Sequence, residues 1–477
     1  VTAPITKQDT KGLVETINGF CEKHGIAVST FGRLAVNDGK FVRRISEGSW
    51  IERETFQRVH AFMERADRGE IALRGRPRRK KEESSSHTMA ELINQQTSIR
   101  TPGSFELHEQ RYRFHVFAAT TNVSWVQADI ITDDILKLPP KPRGLRLFYS
   151  PMDNGITLTR VLRALHAKHP DMPIQVVIKG WGLEDLRNTM SRMVDRLSEH
   201  PLTVLVLTNL YTREAVQLKK TAPEGPGEIV WRDVELSGEY SYDYQQQVAD
   251  LFSDLAHEWT VFRGEDDFPV YSRPSVITLC RADQRQALED FVPRQGGPDL
   301  QFDYCFLNHP YLHSHTMKFR IDYVLKPVIR HLAPGGQMKV VQSLGEDPAH
   351  EIIRRVWPDQ PLNCVSRHDI ISELRKSLGK ELKELTFSGL TDARSLFRFD
   401  MHTLPTMQGN EQRNLSPQGA WSNAVYFAQV KEELVQVAMG EGTRHMEITS
   451  DVLREFGGLW FVNETFSITR KQTDERS

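Results

Sequence analysis

Cysteine is scarce in this chain of 477 residues: Cys21, Cys280, Cys305 and Cys364 are the full set, and no two form a Cys-x-x-Cys pair. That excludes a disulfide-stapled scaffold, and the four read as buried thiols in a reducing compartment. Long apolar runs are lacking too. The richest, 202–211, falls far short of the ~20 residues a membrane helix needs. The first 25 residues carry charges throughout and no apolar core of the secretory kind. A cytoplasmic protein with no membrane partner is expected. Net charge is nearly absent, at -2, so the total names no partner. Nor is there an internal repeat, a Walker loop, a Gly-x-Ser-x-Gly elbow or a kinase motif set. What is present is an ordinary globular composition, 39% hydrophobic and 26% charged, with chain enough for two or three domains.

Charge is unevenly spread. Residues 1–100 hold 18 Lys/Arg against 13 Asp/Glu, leaving an acidic remainder. A basic head on an acidic body suggests a polyanion partner for the head. Leu13, Ile17, Phe20 and Cys21 recur at helical spacing before Gly25. Ser29 is placed to cap a second short helix containing Phe31 and Leu34. Asn37-Asp38-Gly39 is a turn, Lys40 to Glu47 a third helix, and Glu52 to about Arg68 a fourth, with Phe56, Val59, Phe62 and Met63 on one face. The segment 28–48, VSTFGRLAVNDGKFVRRISEG, resembles the helix-turn-helix of phage-repressor-like regulators. The resemblance implies a recognition helix in which Phe41, Val42 and Ile45 face the core and Lys40, Arg43 and Arg44 face DNA.

Next comes Arg74-Gly75-Arg76-Pro77-Arg78-Arg79-Lys80-Lys81. Its Arg-Gly-Arg-Pro core resembles an AT-hook: Gly admits close approach to the groove floor, Pro keeps the arm extended, and Arg enters a narrow minor groove. All six basic residues, Arg74, Arg76, Arg78, Arg79, Lys80 and Lys81, are candidate DNA contacts, and the protein is expected to be nucleoid-associated. Glu82 to Ser86 reads as flexible linker. The expected division is a head over 1–70, a basic linker over 71–103, a body over 104–404 with an insertion near 211–273, and an extension over 405–477 with strand and helix elements.

In the body, short apolar runs alternate with amphipathic helices, which predicts α/β architecture: a Rossmann-like, mostly parallel sheet flanked by helices, preceded by a small all-α domain. Strands are expected at Leu145–Tyr149, Ile174–Ile178, Thr203–Thr208, Ser275–Cys280, Phe302–Leu307, Gln337–Ser343 and Leu459–Thr469, the last in an antiparallel edge. Ligands of such sheets bind at the carboxyl ends of the strands, near the point where strand order reverses. The first strand and loop read LRLFYSPMDNGITLTRVL, 145–162. Later, FDYCFLNHPY (302–311) is followed by a helix and by HLAPGGQMKVV (331–341). That order resembles the fourth strand, helix and fifth strand of class I S-adenosylmethionine-dependent methyltransferases, over roughly 143–345.

The resemblance implies an S-adenosylmethionine site at Ser150, Asp153, Asn154 and Gly155, with Lys179 at the ribose position and Asp283 on the adenine side. Two departures stand out: the loop has one glycine in place of Gly-x-Gly, and a lysine, which has no acceptor, stands where an acid is usual. Glu184 or Asp185 could substitute only from the next helix. Asn308-His309-Pro310-Tyr311 resembles the Asn-Pro-Pro-Tyr motif of methyltransferases acting on planar amines, with His309 in place of the first proline. It implies Asn308, Pro310 and Tyr311 as catalytic. Cys305, His309, His313 and His315 raise zinc, but Pro310 interrupts them and no metal is expected. The tryptophans Trp125, Trp181, Trp231 and Trp259 are expected in the core or the domain seam. Three functions remain open: a methyltransferase targeted to DNA and acting on an amine there or elsewhere, a non-catalytic methyltransferase-fold transcriptional regulator, and a small-molecule enzyme whose head only regulates. Assembly into a homodimer is left open.

Overall fold

In the computed structural model, residues 7–36, 38–46, 51, 53–68, 107–139, 141, 143–150, 154–180, 182–221, 228–256, 259, 261–263, 269–360, 362, 364–402 and 415–472 are described. Two compact units emerge, Val1–Ile99 and Arg100–Ser477.

Among the described residues the first unit holds four helices, α1 (Lys7–His24), α2 (Val28–Val36), α3 (Phe41–Ser46) and α4 (Arg53–Asp67). Their apolar faces close on one core: Leu13, Ile17 and Phe20 from α1, Phe31 from α2, Phe41, Val42 and Ile45 from α3, Val59 and Met63 from α4. Gly25, at φ +64°, ends α1, and the Ile26 N–H reaches back to the Cys21 carbonyl at 3.1 Å. The sequence placed a cap at Ser29. Instead, Thr30 and Phe31 N–H groups bond the Ala27 carbonyl, so α2 starts earlier and Ser29 lies inside it. The turn between α2 and α3 needs Gly32, whose added Cβ would lie 2.4 Å from the Asp38 carbonyl oxygen. The Arg74–Lys81 arm lies outside the described residues.

The second unit opens with α5 (Leu107–Thr120) and α6 (Val123–Ile135). Then β1 (Leu145–Ser150), α7 (Ile156–Lys168), β2 (Ile174–Lys179), α8 (Leu183–Glu199) and β3 (Thr203–Thr208) form successive parallel units. Strands β2 and β3 are buried along their whole length, which is why they read as continuous apolar runs. The insertion supplies β4 (Val230–Leu236), α9 (Ser241–Leu255) and a hairpin of β5 (Val261–Arg263) and β6 (Pro269–Tyr271). After it come β7 (Ser275–Arg281), β8 (Phe302–Asn308) and β9 (Leu332–Ser343). Between β8 and β9 the helical run over 317–330 is interrupted by a π-helical stretch, Arg320–Leu325, ahead of Pro327, which has no N–H to donate. The chain ends through α10 (Pro348–Val356), α11 (Arg367–Leu378), β10 (Leu385–Ser388), β11 (Leu396–Asp400), α12 (Leu415–Phe427), α13 (Glu432–Gly440), α14 (Arg444–Phe456) and β12 (Trp460–Arg470).

Sheet order is β10-β12-β9-β8-β1-β2-β3-β7-β4, with β11 also on β12. Strands β3, β2, β1, β8 and β9 are parallel, and order reverses between β1 and β8. Strand β12 runs antiparallel to β9, and β10 and β11 pair with its other side. The tail thus builds an antiparallel edge of the sheet from β12, β10 and β11, as expected, but it is no separate extension: Ala420, Val452 and Phe461 share a core with Phe117, Ile352 and Phe399. At the opposite end β7 is antiparallel to β3 and carries β4. Alternation along β1 sends Leu147 and Tyr149 to one apolar layer and Phe148 to the other. Trp259 is buried as expected, but Trp125 is 57% exposed, with the Arg160 guanidinium 4.5 Å from its ring centre. Among the described residues no helix is long and apolar enough to cross a membrane.

Candidate functional site

The reversal of strand order leaves a crevice at the carboxyl ends of β1 and β8. On the β1 side stands Ser150, 1% exposed, its hydroxyl without a hydrogen-bond partner among the described residues. Asp153 lies outside the described residues. Asn154 is used locally: its side chain accepts from Ile156 N–H at 3.4 Å and its carbonyl from Arg192 Nε at 3.2 Å. Gly155 sits at φ +84° at the start of α7, and a Cβ there would lie 2.6 Å from Thr189 Cα. The glycine is needed for helix-to-helix approach, a packing reason that stands beside the expected approach to a cofactor.

Lys179 ends β2, 4% exposed, where burial lowers its ammonium to about 7. Asp185 turns toward its own helix start, its carboxylate 3.7 Å from where a Cβ on Gly182 would lie, and Glu184 pairs with Arg187 at 3.5 Å. Asp283 is displaced outright. Because β7 is antiparallel to β3, the residues after β7 lie at the opposite sheet edge, and Asp283 is tied to Arg281 at 2.6 Å there.

The β8 side is built differently. Asn308 is 2% exposed and exchanges two hydrogen bonds with Gln127 of α6, each 3.1 Å. His309 follows at φ +46°, a left-handed conformation that His tolerates better than most residues, and its N–H continues the ladder to the Val341 carbonyl at 2.9 Å. Burial lowers the His309 imidazole to about 4, against the opposing pull of Asn463, which accepts from the ring. Asn308 and His309 line a small, partly open pocket with Phe117, Val123, Gln127, Phe399, Tyr426, Phe427 and Gln429.

Pro310 and Tyr311 are not part of that lining. The Tyr311 hydroxyl donates to Gln342, whose amide donates to Glu464 and to the Val365 carbonyl, both at 2.7 Å. Glu464 in turn holds Arg367 at 2.8 Å. The ring packs in the apolar layer under the Arg320 guanidinium, 4.9 Å away, so Tyr311 braces the loop and offers no stacking face to the pocket. Arg320 also donates to the His313 carbonyl at 2.9 Å and the His315 carbonyl at 3.0 Å.

Sequence reasoning missed Gln127 and Phe427, which come from helices far from Asn308 in the chain. It also missed His350, which lies 5.4 Å from the Phe427 ring and is hydrogen-bonded to Asp347. The Asp347-Pro348 pair was a readable helix start. Cys305 belongs to the sheet core, and among the described residues no three His, Cys, Asp or Glu side chains gather to hold a metal. In the head, Lys40, Arg43 and Arg44 are exposed while Phe41, Val42 and Ile45 are buried. Arg44 is paired with Asp38 at 2.5 Å.

The chain matches no family model and no curated protein. Among solved structures it is similar to MnmC2 from Aquifex aeolicus, at 12% identity over 73% of this chain and 75% of that one, TM-score 0.19. A Burkholderia thailandensis protein bound to S-adenosyl-homocysteine is similar at 14% identity over 72% and 75%, TM-score 0.23. So is phosphoethanolamine N-methyltransferase 2 of Haemonchus contortus, in complex with phosphomonomethylethanolamine and S-adenosylhomocysteine, at 10% identity over 73% and 100%, TM-score 0.19. At TM-scores this low the likenesses carry no argument. By its own strand order and crossovers, the second unit is an α/β domain with a Rossmann-like, mostly parallel sheet flanked by helices.

Proposed function

We propose that the second unit is a methyltransferase that takes S-adenosylmethionine at the carboxyl ends of β1 and β2 and an amine-bearing acceptor in the pocket beside Asn308. The observation that carries this reading is the place of Asn308, last residue of the strand facing β1 across the reversal of strand order. The fit to the cofactor is uneven. The buried Ser150 hydroxyl, without a partner among the described residues, suits a polar ligand, whereas Lys179 and the helix-packed Gly155 depart from the expected pattern. The cofactor would supply an electrophilic methyl group. The chain's own part would be to orient the acceptor through Asn308, whose amide Gln127 holds in one direction, and to exclude water with Phe117, Phe399 and Phe427.

Calorimetric titration of the full-length protein with S-adenosylmethionine tests this. Saturable heat is expected, with methyl transfer to DNA, protein or a small amine that Asn308→Ala removes while cofactor affinity stays. Absence of binding sinks it. The departures at Lys179 and Gly155 favour a second reading, a non-catalytic regulator on the same fold, and binding without transfer to any acceptor would select it.

We further propose that the head binds duplex DNA through Lys40, Arg43 and Arg44, with Arg74–Lys81 adding minor-groove contact. The support is the exposed basic side of α3 opposite its buried apolar side. Affinity should fall steeply with salt and fall further in an Arg43→Ala/Arg44→Ala variant. Binding that ignores salt, or none at low salt, would remove the proposal.

A further inference from the structure

One group of chemically capable side chains lies outside the proposed acceptor pocket, at the carboxyl end of β9. Asp347 caps α10, its Oδ1 accepting the His350 N–H at 2.9 Å, and its Oδ2 accepts the Val462 N–H at 3.1 Å. The same Oδ1 lies 2.8 Å from His350 Nδ1. That hydrogen bond sets the imidazole so that Nε2 faces the other way, 3.7 Å from Cys364 Sγ and 3.3 Å from Ser343 Oγ. Nucleophile, base and orienting carboxylate thus stand in the order that thiol nucleophiles use. A helix cap accounts for Asp347 against its backbone partners; it does not call for an imidazole whose far nitrogen meets a thiol.

The surroundings suit a reactive thiol. Cys364 is half-buried, whereas Cys21, Cys280 and Cys305 are buried. It packs against Gly345, where a Cβ would lie 2.8 Å from its sulfur, so the sulfur is held in place. Burial works against a charged His350, yet the Asp347 charge and hydrogen bond, helped by Cys364, raise it to about 9. Arg320 faces Cys364 as a second positive group. His309 and His313 also face His350, but burial holds them at about 4 and about 3, which leaves them neutral at pH 7. Asp347 is the one acid acting on His350. Positive charge beside a thiol favours its thiolate.

We propose that Cys364 is a nucleophilic thiol for carbon electrophiles of the alkyl or acyl class, activated by His350 and oriented through it by Asp347. With the Cys364 thiol proton held on His350, the thiolate sulfur attacks the electrophilic carbon, the carbon–sulfur bond forms, and the bond to the leaving group breaks with its electron pair. Where the leaving group needs a proton, the His350 imidazolium supplies it. The site is independent of whether S-adenosylmethionine binds.

Alkylation of the native full-length protein with iodoacetamide, followed at each cysteine by peptide mass, is the test. At pH 6, Cys364 should react at least ~10-fold faster than the same cysteine in the denatured chain, and its rate should stay nearly flat to pH 8, where an ordinary thiol of pKa about 8.5 climbs steeply. The three buried cysteines should lag behind it. His350→Gln should restore the ordinary pH profile. Should that variant fail to fold, the wild-type profile decides alone. A Cys364 rate that follows the ordinary thiol curve, or no labelling of native Cys364, overturns the proposal.

Discussion

The two sides of the carboxyl edge differ in how their polar groups are spent. On the β8–β9 side buried polar side chains are linked pair by pair: Asn308 with Gln127, Tyr311 with Gln342, Gln342 with Glu464, Glu464 with Arg367, His350 with Asp347. On the β1–β2 side the buried Ser150 hydroxyl has no hydrogen-bond partner among the described residues, Lys179 ends its strand buried, and Gly155 lets two helices approach. A fully satisfied network holds side chains in one geometry, whereas a buried polar atom without a partner either costs stability or awaits a ligand. The β8–β9 side is therefore the one whose linked pairs fix its buried side chains in one geometry.

The largest effect should come from the organised side. Glu464 is fully buried and Arg367 nearly so, so Glu464→Ala strands a guanidinium with only Asp392 and the Gly389 carbonyl. A loss of about 3–5 kcal/mol in urea denaturation is expected; a loss near zero would mean that the network is not what organises this edge. Next is Gly155→Ala, which sets a Cβ into Thr189 at positive φ and should cost about 2–3 kcal/mol. An unchanged stability with lost S-adenosylmethionine binding would instead return Gly155 to the cofactor.

Acidity separates the sides by sign. Lys179 is lowered in the fold from 10.5 to about 7, so the unfolded chain holds more protons between those values, and its contribution makes stability rise with pH there. His350 is raised from 6.5 to about 9, so its stabilising contribution is complete below 6.5 and disappears as pH climbs through 9. Each slope is at most about 1.4 kcal/mol per pH unit. The two oppose one another between pH 7 and 9, so Lys179→Met should expose the falling His350 limb and His350→Gln the rising Lys179 limb. Parallel curves for wild type and both variants would remove the contrast. The smallest effect is expected from a double-mutant cycle on Gln127 and Asn308, with a coupling of about 1 kcal/mol, since each single variant leaves one buried amide unmatched.

Much of the local structure was legible because it rests on near-neighbour physics. Strands β2 and β3 are read from apolar runs that both sheet faces bury, and α3 from the alternation of buried Phe41, Val42 and Ile45 with exposed Arg43 and Arg44. The glycine at 155 was singled out in the sequence, but its neighbour Thr189 was not legible there, since a positive φ looks the same in a sequence whatever lies beside it. Asp283 failed for a topological reason: nothing in Ser275–Arg281 says that this strand runs against β3.

By itself, then, the sequence determined the alternation of strand and helix, the basic apolar-backed helix of the head and the identity of the residues that end each strand, because periodicity and turn chemistry act over a few residues. Only the tertiary structure decided which strand ends meet. Register and strand order put Asn308 against Gln127, drew β12 from the far end of the chain between β9 and β10, and brought Cys364 to His350, because those contacts are settled by burial of distant apolar faces and not by any spacing along the chain.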